Sequence, residues 1–300
     1  MGKTNLARSN AGVLILWIAS LLWGWHTLAN TLVLSMRDEE YTYILLILPV
    51  CAVLLFLQRQ SIRQSIAFDF RLGPVLLLIA AAIACCLQAR SSSIAPDVQL
   101  SIAMFALVLW WVGDFVLWFG ARASRLALFP LCFLFGLVPL PRAVLDATVE
   151  RLQISSALAA HALFWMVGVP VDQSGVFITI PGLTIQVAQE CSSIRSSSLL
   201  LATTIVLAQF MLVSPWRTMI LIGLAVPLSV AKNGLRLFTI AMLGTRVDPG
   251  YLTGRFHHQG GIVFFAIALI AVFFFLWILR RGEEKTLAIR ANIKVNAAND

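Results

Sequence analysis

Charge is scarce in this chain. Of its 300 residues only 12% are Asp, Glu, Lys or Arg, whereas 60% are hydrophobic and the mean hydropathy is +0.89. A soluble globular domain, which carries about 25% charged residues, is excluded by that balance, and a polytopic membrane protein is implied. There is no glycine-rich loop of the kind that cradles phosphate, no internal repeat and no low-complexity segment, which argues against a P-loop enzyme. The net charge of +8 requires no nucleic-acid partner, because the basic residues flank apolar runs, where they face lipid headgroups and water. Only five cysteines and four histidines are present, so candidates for nucleophilic and acid–base chemistry are few.

What the chain has instead is a series of apolar runs. A crossing of the hydrocarbon core takes roughly 17 to 25 such residues, and the pattern predicts eight spans: Gly12–Leu34, Tyr41–Leu57, Leu72–Leu87, Val98–Phe119, Leu126–Leu140, Ser196–Val213, Thr218–Leu243 and Gly261–Leu279. The first is too long for the core of a cleavable signal peptide and has no convincing cleavage site after it. With the N-terminus on the cytoplasmic side, the inner flanks carry 13 of the 22 basic residues, including Arg59, Arg63, Arg122, Arg125, Arg217, Arg280 and Arg281, and the bias is clean in the short inner loops that set orientation. The expected fold is therefore an all-α polytopic membrane protein forming a single integral membrane domain over 1–300. Residues 1–11 form a cytoplasmic N-terminus, 141–190 an extracytoplasmic segment and 282–300 a cytoplasmic tail.

The extracytoplasmic segment has its own pattern. From Arg142 to Trp165, Val144, Leu145, Val149, Leu152, Ala157 and Leu158 recur at helical spacing opposite Arg142, Asp146, Glu150 and Arg151, which predicts an amphipathic interfacial helix. Gly175–Ile180 and Leu183–Ala188, separated by Pro181-Gly182, predict a short β-hairpin. Its second strand leads into Glu190-Cys191-Ser192-Ser193-Ile194-Arg195-Ser196. Cys51, Cys85, Cys86 and Cys132 lie within apolar runs, where a thiol acts as a small hydrophobe. Cys191 alone stands among polar residues at the expected start of a helix, where the helix dipole and nearby cations lower a thiol pKa from about 8.5 toward roughly 3.5 to 7.5.

Two further polar groups interrupt the last two spans. Lys232-Asn233-Gly234-Leu235-Arg236 breaks an apolar run, and Asn233 and Arg236 are three apart on one helix face. An arginine in a span faces a cavity or a partner, since a charge at mid-membrane costs roughly 2.5 to 3.5 kcal/mol. Phe256-His257-His258-Gln259-Gly260-Gly261 opens the last span. Counting crossings puts Cys191, Arg236 and His257 or His258 at the same, outer, membrane face.

Taken together, these residues resemble the exosortase and archaeosortase membrane transpeptidases. The resemblance rests on Glu190-Cys191-Ser192-Ser193-Ile194-Arg195-Ser196, on Asn233-Gly234-Leu235-Arg236, and on His257 four positions before Gly261 in a glycine-x-x-x-phenylalanine-like setting. It extends through Val138-Pro139-Leu140-Pro141, Gly168-Val169-Pro170-Val171, the Pro181-Gly182 turn and, more loosely, Glu40-Tyr41-Thr42-Tyr43. Ser193 stands where the family commonly has glycine. The resemblance implies a sortase-like peptidase with Cys191 as nucleophile, His257 as general acid and base and Arg236 as the group stabilising thiolate and oxyanion, with His258, Arg195, Asn233 and Glu190 as supporting or alternative residues. Its substrates would be secreted proteins ending in a short motif, a transmembrane helix and a basic tail, of the PEP-CTERM type, processed at the periplasmic side of a bacterial inner membrane and passed to an acceptor. No cofactor is called for, and adjacent histidines without a carboxylate make a poor zinc site.

Other readings have their own residues. Arg236 as a snorkelling side chain needs no site, and His26 and His161 suit interfacial positions. Asp114, beside Trp110 and Trp111 within the fourth span, is the residue expected of a transporter, although no inverted repeat accompanies it. A non-catalytic component of polysaccharide or lipid-linked export is the remaining alternative, and it would tolerate loss of the Cys191 thiol.

Overall fold

A computed structural model describes residues 2–65, 71–187, 194–253 and 260–299, with side chains described at 18, 20, 22–65, 71–187, 195–252 and 260–286. The chain forms two compact units, Met1–Leu145 and Asp146–Asp300.

The first unit holds α1 (Gly2–Arg37), α2 (Ile44–Gln64), α3 (Leu72–Arg90), α4 (Pro96–Leu126) and α5 (Leu128–Phe133). Helix α4 is its centre, because its buried positions (Ser101, Met104, Leu107, Val108, Trp111, Asp114 and Phe115 among them) spread around much of its circumference rather than along one stripe. Ser20, Gly24, Thr31 and Ser35 of α1, all small or polar, form with Leu28 a buried face at helical spacing. Ser20 accepts a 2.9 Å hydrogen bond from the Trp111 indole there, and small residues let helices approach closely in lipid. Gly120 breaks α4 with φ +80°, a backbone conformation only glycine adopts cheaply. The Pro139–Arg142 stretch is tied down by polar groups: Tyr41 donates to the Leu140 carbonyl (2.7 Å), Ser101 to the Pro139 carbonyl (2.7 Å), and the Arg142 guanidinium pairs with Asp38 and Glu40.

The second unit takes in most of α6 (Arg142–Met166), then β1 (Asp172–Ser174), β2 (Phe177–Ile180), β3 (Leu183–Gln186), α7 (Ile194–Met211), α8 (Pro215–Arg246), α9 (Gly250–Thr253) and α10 (Gly261–Asn299). The strands form an antiparallel meander in the order β1-β2-β3, one strand more than the hairpin expected from the sequence. The polar Asp172-Gln173-Ser174 run, too hydrophilic to read as a strand, is drawn in by pairing with Thr179, Ile178 and Phe177. Strands β2 and β3 meet at Pro181-Gly182, where Gly182 at φ +83° supplies the second central position of a type II turn. Ile178, Ile180 and Val187 from the sheet pack on Ala157, Ala160 and Phe164 of α6 and on Leu237 and Ala241 of α8. A second core joins α7, α8 and α10 through Leu200, Ala208, Leu221, Ala268, Val272 and Leu276.

Among the described residues five helices are long and apolar enough to cross a membrane: Glu39–Gln64, Leu72–Ser93, Pro96–Leu126, Pro215–Arg246 and Gly261–Thr286. Taking Leu128–Leu137 with Arg142–Met166 as one broken span gives six, against the eight expected from hydropathy. The expected span Leu126–Leu140 is not a continuous helix. It is divided into α5 and a 3-10 turn, Leu134–Leu137, which runs out at Val138-Pro139-Leu140-Pro141, since closely spaced prolines cannot sustain a helix. The expected span Ser196–Val213 appears as α7, which runs to Met211. Helix α1 is continuous over 36 residues, but the side chains of its N-terminal half lie outside the described set. The four thiols within apolar runs differ in their surroundings. Cys51 is packed, whereas Cys85, Cys86 and Cys132 are exposed; for Cys85 and Cys86 on α3 the reason is that a spanning helix turns apolar side chains toward lipid as readily as toward its neighbours.

Candidate active site

Helix α8 carries a cluster of polar groups on its buried face. Ser229, Lys232, Asn233 and Arg236 are all buried there, Asn233 at 1% exposure and Arg236 at 8%. The face is brought hard against α6 by Gly234: a Cβ at that position would lie 2.5 Å from the Ala159 Cβ and 3.0 Å from the Ala160 backbone nitrogen, so only glycine permits this approach.

Helix α7 meets the same face by hydrogen bonds. Lys232 Nζ donates to Ser196 Oγ, and Ser229 Oγ donates to Ser197 Oγ at 2.6 Å. Both serines belong to the first turns of α7, so the beginning of that helix is fastened to α8 by two polar contacts in antiparallel register. One turn beyond Lys232, the Arg236 guanidinium lies at the first residue of α10: a Cβ on Gly261 would stand 3.7 Å from Arg236 Nη1. Two cations thus meet two helix N-termini, Lys232 at α7 and Arg236 at α10. The unsatisfied backbone N–H groups of a helix start carry about half a positive charge, so cations and helix starts together make a locus that favours an anion.

The chain enters α7 from β3, whose end is fixed from two sides. The Val187 amide donates to the Val176 carbonyl at 2.8 Å, and Gln153 Nε2 of α6 donates to the Val187 carbonyl at 3.0 Å. Gln153 is itself buried, as is Val187.

Of the residues singled out from the sequence, Asn233 and Arg236 lie together on the buried face of α8, and Arg195 lies exposed in the first turn of α7. Glu190, Cys191, His257 and His258 lie outside the described residues. His26 is exposed and His161 half-buried, each within a helix. Asp114 is fully buried on α4 in the first unit. Three residues of the same unit were not among the candidate site residues. Lys232 had a legible signal, a charge inside an apolar span. Gln153 had a weaker one, an amide four residues from both Val149 and Ala157 on an otherwise apolar helix face. Gly234 had none, because a close approach is invisible until the neighbouring helix is in place. Among the described residues no group of His, Cys, Asp and Glu could hold a metal ion.

Compared with models of protein families, the chain matches the one described as transmembrane exosortase over residues 25–274, a stretch that contains every candidate residue named above. No curated protein and no solved structure matches it.

Proposed function

Because the chain belongs to the transmembrane exosortase family, we propose that it is a membrane-embedded cysteine transpeptidase that cleaves the C-terminal sorting signals of secreted proteins at the outer face of a bacterial inner membrane. The carrying observation is the electropositive locus formed by Lys232, Arg236 and the starts of α7 and α10. Thioester chemistry passes through two anions, a thiolate and a tetrahedral oxyanion, and both are stabilised by fixed positive charge.

The connectivity around that locus supports the assignment of roles. The α7–α8 register pairs Ser197 with Ser229 and Ser196 with Lys232, and Cys191 precedes Ser196 by five residues in the sequence. Residues 254–259, which include both histidines, lead directly into Gly260 and Gly261, and Gly261 is the residue that the Arg236 guanidinium abuts. In the proposed reaction the Cys191 thiolate adds to the scissile carbonyl, and Arg236 stabilises the resulting oxyanion. Collapse breaks the C–N bond as His257 protonates the leaving amine, which departs with the transmembrane helix and basic tail. His257 then takes the proton of an acceptor nucleophile that attacks the thioester, releasing the product and restoring the thiolate. Glu190, Asn233, Arg195 and His258 take supporting roles.

The test is processing of a secreted reporter that carries a short motif, an apolar helix and an arginine cluster taken from the same genome. Cys191→Ala and Cys191→Ser abolish processing while membrane expression stays near normal; processing that persists in either variant excludes the chemistry. A non-catalytic export component would tolerate both substitutions.

A further inference from the structure

We propose that the open edge of β3 is a peptide-binding subsite, which takes the extended segment of a secreted substrate as a further strand of the sheet through main-chain hydrogen bonds to Thr184 and Gln186. The occupant rests on the peptidase reading, and the place rests on the geometry of the sheet. The Val187 amide donates to the Val176 carbonyl at 2.8 Å, and the register pairs Ile178 with Ile185 and Ile180 with Leu183 at the same parity. Hydrogen-bonded pairs alternate along an antiparallel ladder. Leu183, Ile185 and Val187 therefore hold β3 to β2, and the N–H and C=O groups of Thr184 and Gln186 point the other way. The strand order β1-β2-β3 leaves that side of β3 without a neighbouring strand. Thr184 and Gln186 are exposed, and among the described residues no main-chain hydrogen bond reaches them from that side. On the opposite face, Leu183 and Ile185 pack on the cluster that includes Leu237, the residue after Arg236. The strand is thus seated against the helix that carries the proposed oxyanion-stabilising group. An open edge is a template for any extended chain that reaches it, and folded proteins blunt such edges with short strands, charges and prolines. Strand β1 is blunted in this way, since it has three residues, carries Asp172 and closely follows Pro170. Strand β3, Leu183-Thr184-Ile185-Gln186, has neither charge nor proline and includes two β-branched residues. A substrate segment about to be cut presents an extended main chain with unpaired N–H and C=O groups, and strand addition satisfies them while pockets for alternate side chains supply specificity.

The experiment has two arms, both on the full-length protein in native membranes. In the first, the five native cysteines are replaced by alanine, Thr184→Cys is introduced, and single cysteines are placed in turn along the reporter segment that precedes its transmembrane helix. Disulfide formation under mild oxidation is the readout, and it needs no peptidase activity. Side chains of a strand alternate between faces with a period of two, so cross-links are expected at alternate reporter positions. Asp172→Cys on the opposite edge is expected to give none. In the second arm, kcat and KM for the reporter are measured in Thr184→Pro and in Gln173→Pro. Proline lacks the N–H, and by the register the N–H groups of Thr184 and Gln173 both point away from β2, so each variant loses an edge donor and keeps the ladder. Thr184→Pro is expected to raise KM by about two- to tenfold, the worth of one net hydrogen bond, with kcat little changed. Gln173→Pro is expected to match wild type. Cross-links at consecutive reporter positions or at none, cross-links between two copies of the protein instead of to the reporter, or an unchanged KM in Thr184→Pro would overturn the proposal. If Thr184→Pro fails to fold, the cross-links decide. Reporter processing that survives Cys191→Ala defeats the peptidase reading instead, and the cross-links, which form without Cys191, still decide whether the reporter pairs with β3.

Discussion

Adding one methyl group to α8 separates the close approach of α6 and α8 from every other property of that helix. In Gly234→Ala the new Cβ would start 2.5 Å from the Ala159 Cβ, 3.0 Å from the Ala160 nitrogen and 3.1 Å from the Ala159 carbonyl carbon. Carbon atoms are comfortable at about 3.5 to 4.0 Å, so the helices must part by roughly 1 Å. Two of the three obstacles are backbone atoms, and no side-chain rotation relieves them. Overpacking of this kind costs about 1 to 3 kcal/mol. Helix propensity works the other way, since alanine is favoured over glycine by about 1 kcal/mol in a helix interior. Gly223 lies in the same helix with nothing within 4 Å of its would-be Cβ, so Gly223→Ala gains the propensity term alone. The difference between the two variants therefore isolates the packing term: Gly223→Ala matches or exceeds wild-type stability, and Gly234→Ala falls below Gly223→Ala by about 1 to 3 kcal/mol. Arg236 is two residues from Gly234, and the sheet rests on Leu237 and Ala241 just beyond it, so the same displacement lowers reporter processing by up to about 100-fold. Thermal denaturation in detergent, followed by size-exclusion recovery, measures the first effect and the reporter the second. Equal denaturation midpoints for the two alanine variants, or full activity in Gly234→Ala, would refute the packing argument.

Arg236→Lys keeps the charge but loses the planar fork that can hold an oxyanion and a second partner together; a severe loss of processing is expected, with Arg236→Ala at least as bad and exposed Arg195→Ala milder, and the reverse order in the same assay would exchange their roles. His257 stands four positions before Gly261, the spacing that the family resemblance implies for the acid–base histidine: His257→Ala is expected to block processing and His258→Ala to leave most of it, and the opposite result would move the acid–base role to His258. Gln153→Leu strands the buried Val187 carbonyl, bonded at 3.0 Å in the wild type, and a buried acceptor left without its donor costs about 1 to 3 kcal/mol. A lowered denaturation midpoint is expected, with Gln153→Ala similar, and an unchanged midpoint in both would remove the anchoring role of this amide.

Much of this protein is determined by its sequence before any contact forms. Long apolar runs without charge are stable in a membrane, and polar residues interrupt that pattern at 190–196, 232–236 and 256–259. The turn at Pro181-Gly182 follows from two residues whose backbone preferences leave little choice. Hydropathy fails, however, to distinguish a side chain facing lipid from one facing a neighbouring helix, because both surroundings are apolar. For that reason it could not say that Cys51 is packed while Cys85, Cys86 and Cys132 are exposed, nor divide Leu126–Leu140 into a short helix and a 3-10 turn. The polar Asp172–Ser174 run became a strand only because β2 supplied the missing hydrogen bonds. The pairing of Lys232 with Ser196, of Gln153 with the Val187 carbonyl, and the seat of Gly234 on Ala159 join residues 34 to 75 positions apart in the chain. Such pairs are set by which helix faces meet and at what distance, and that is decided only when the helices pack.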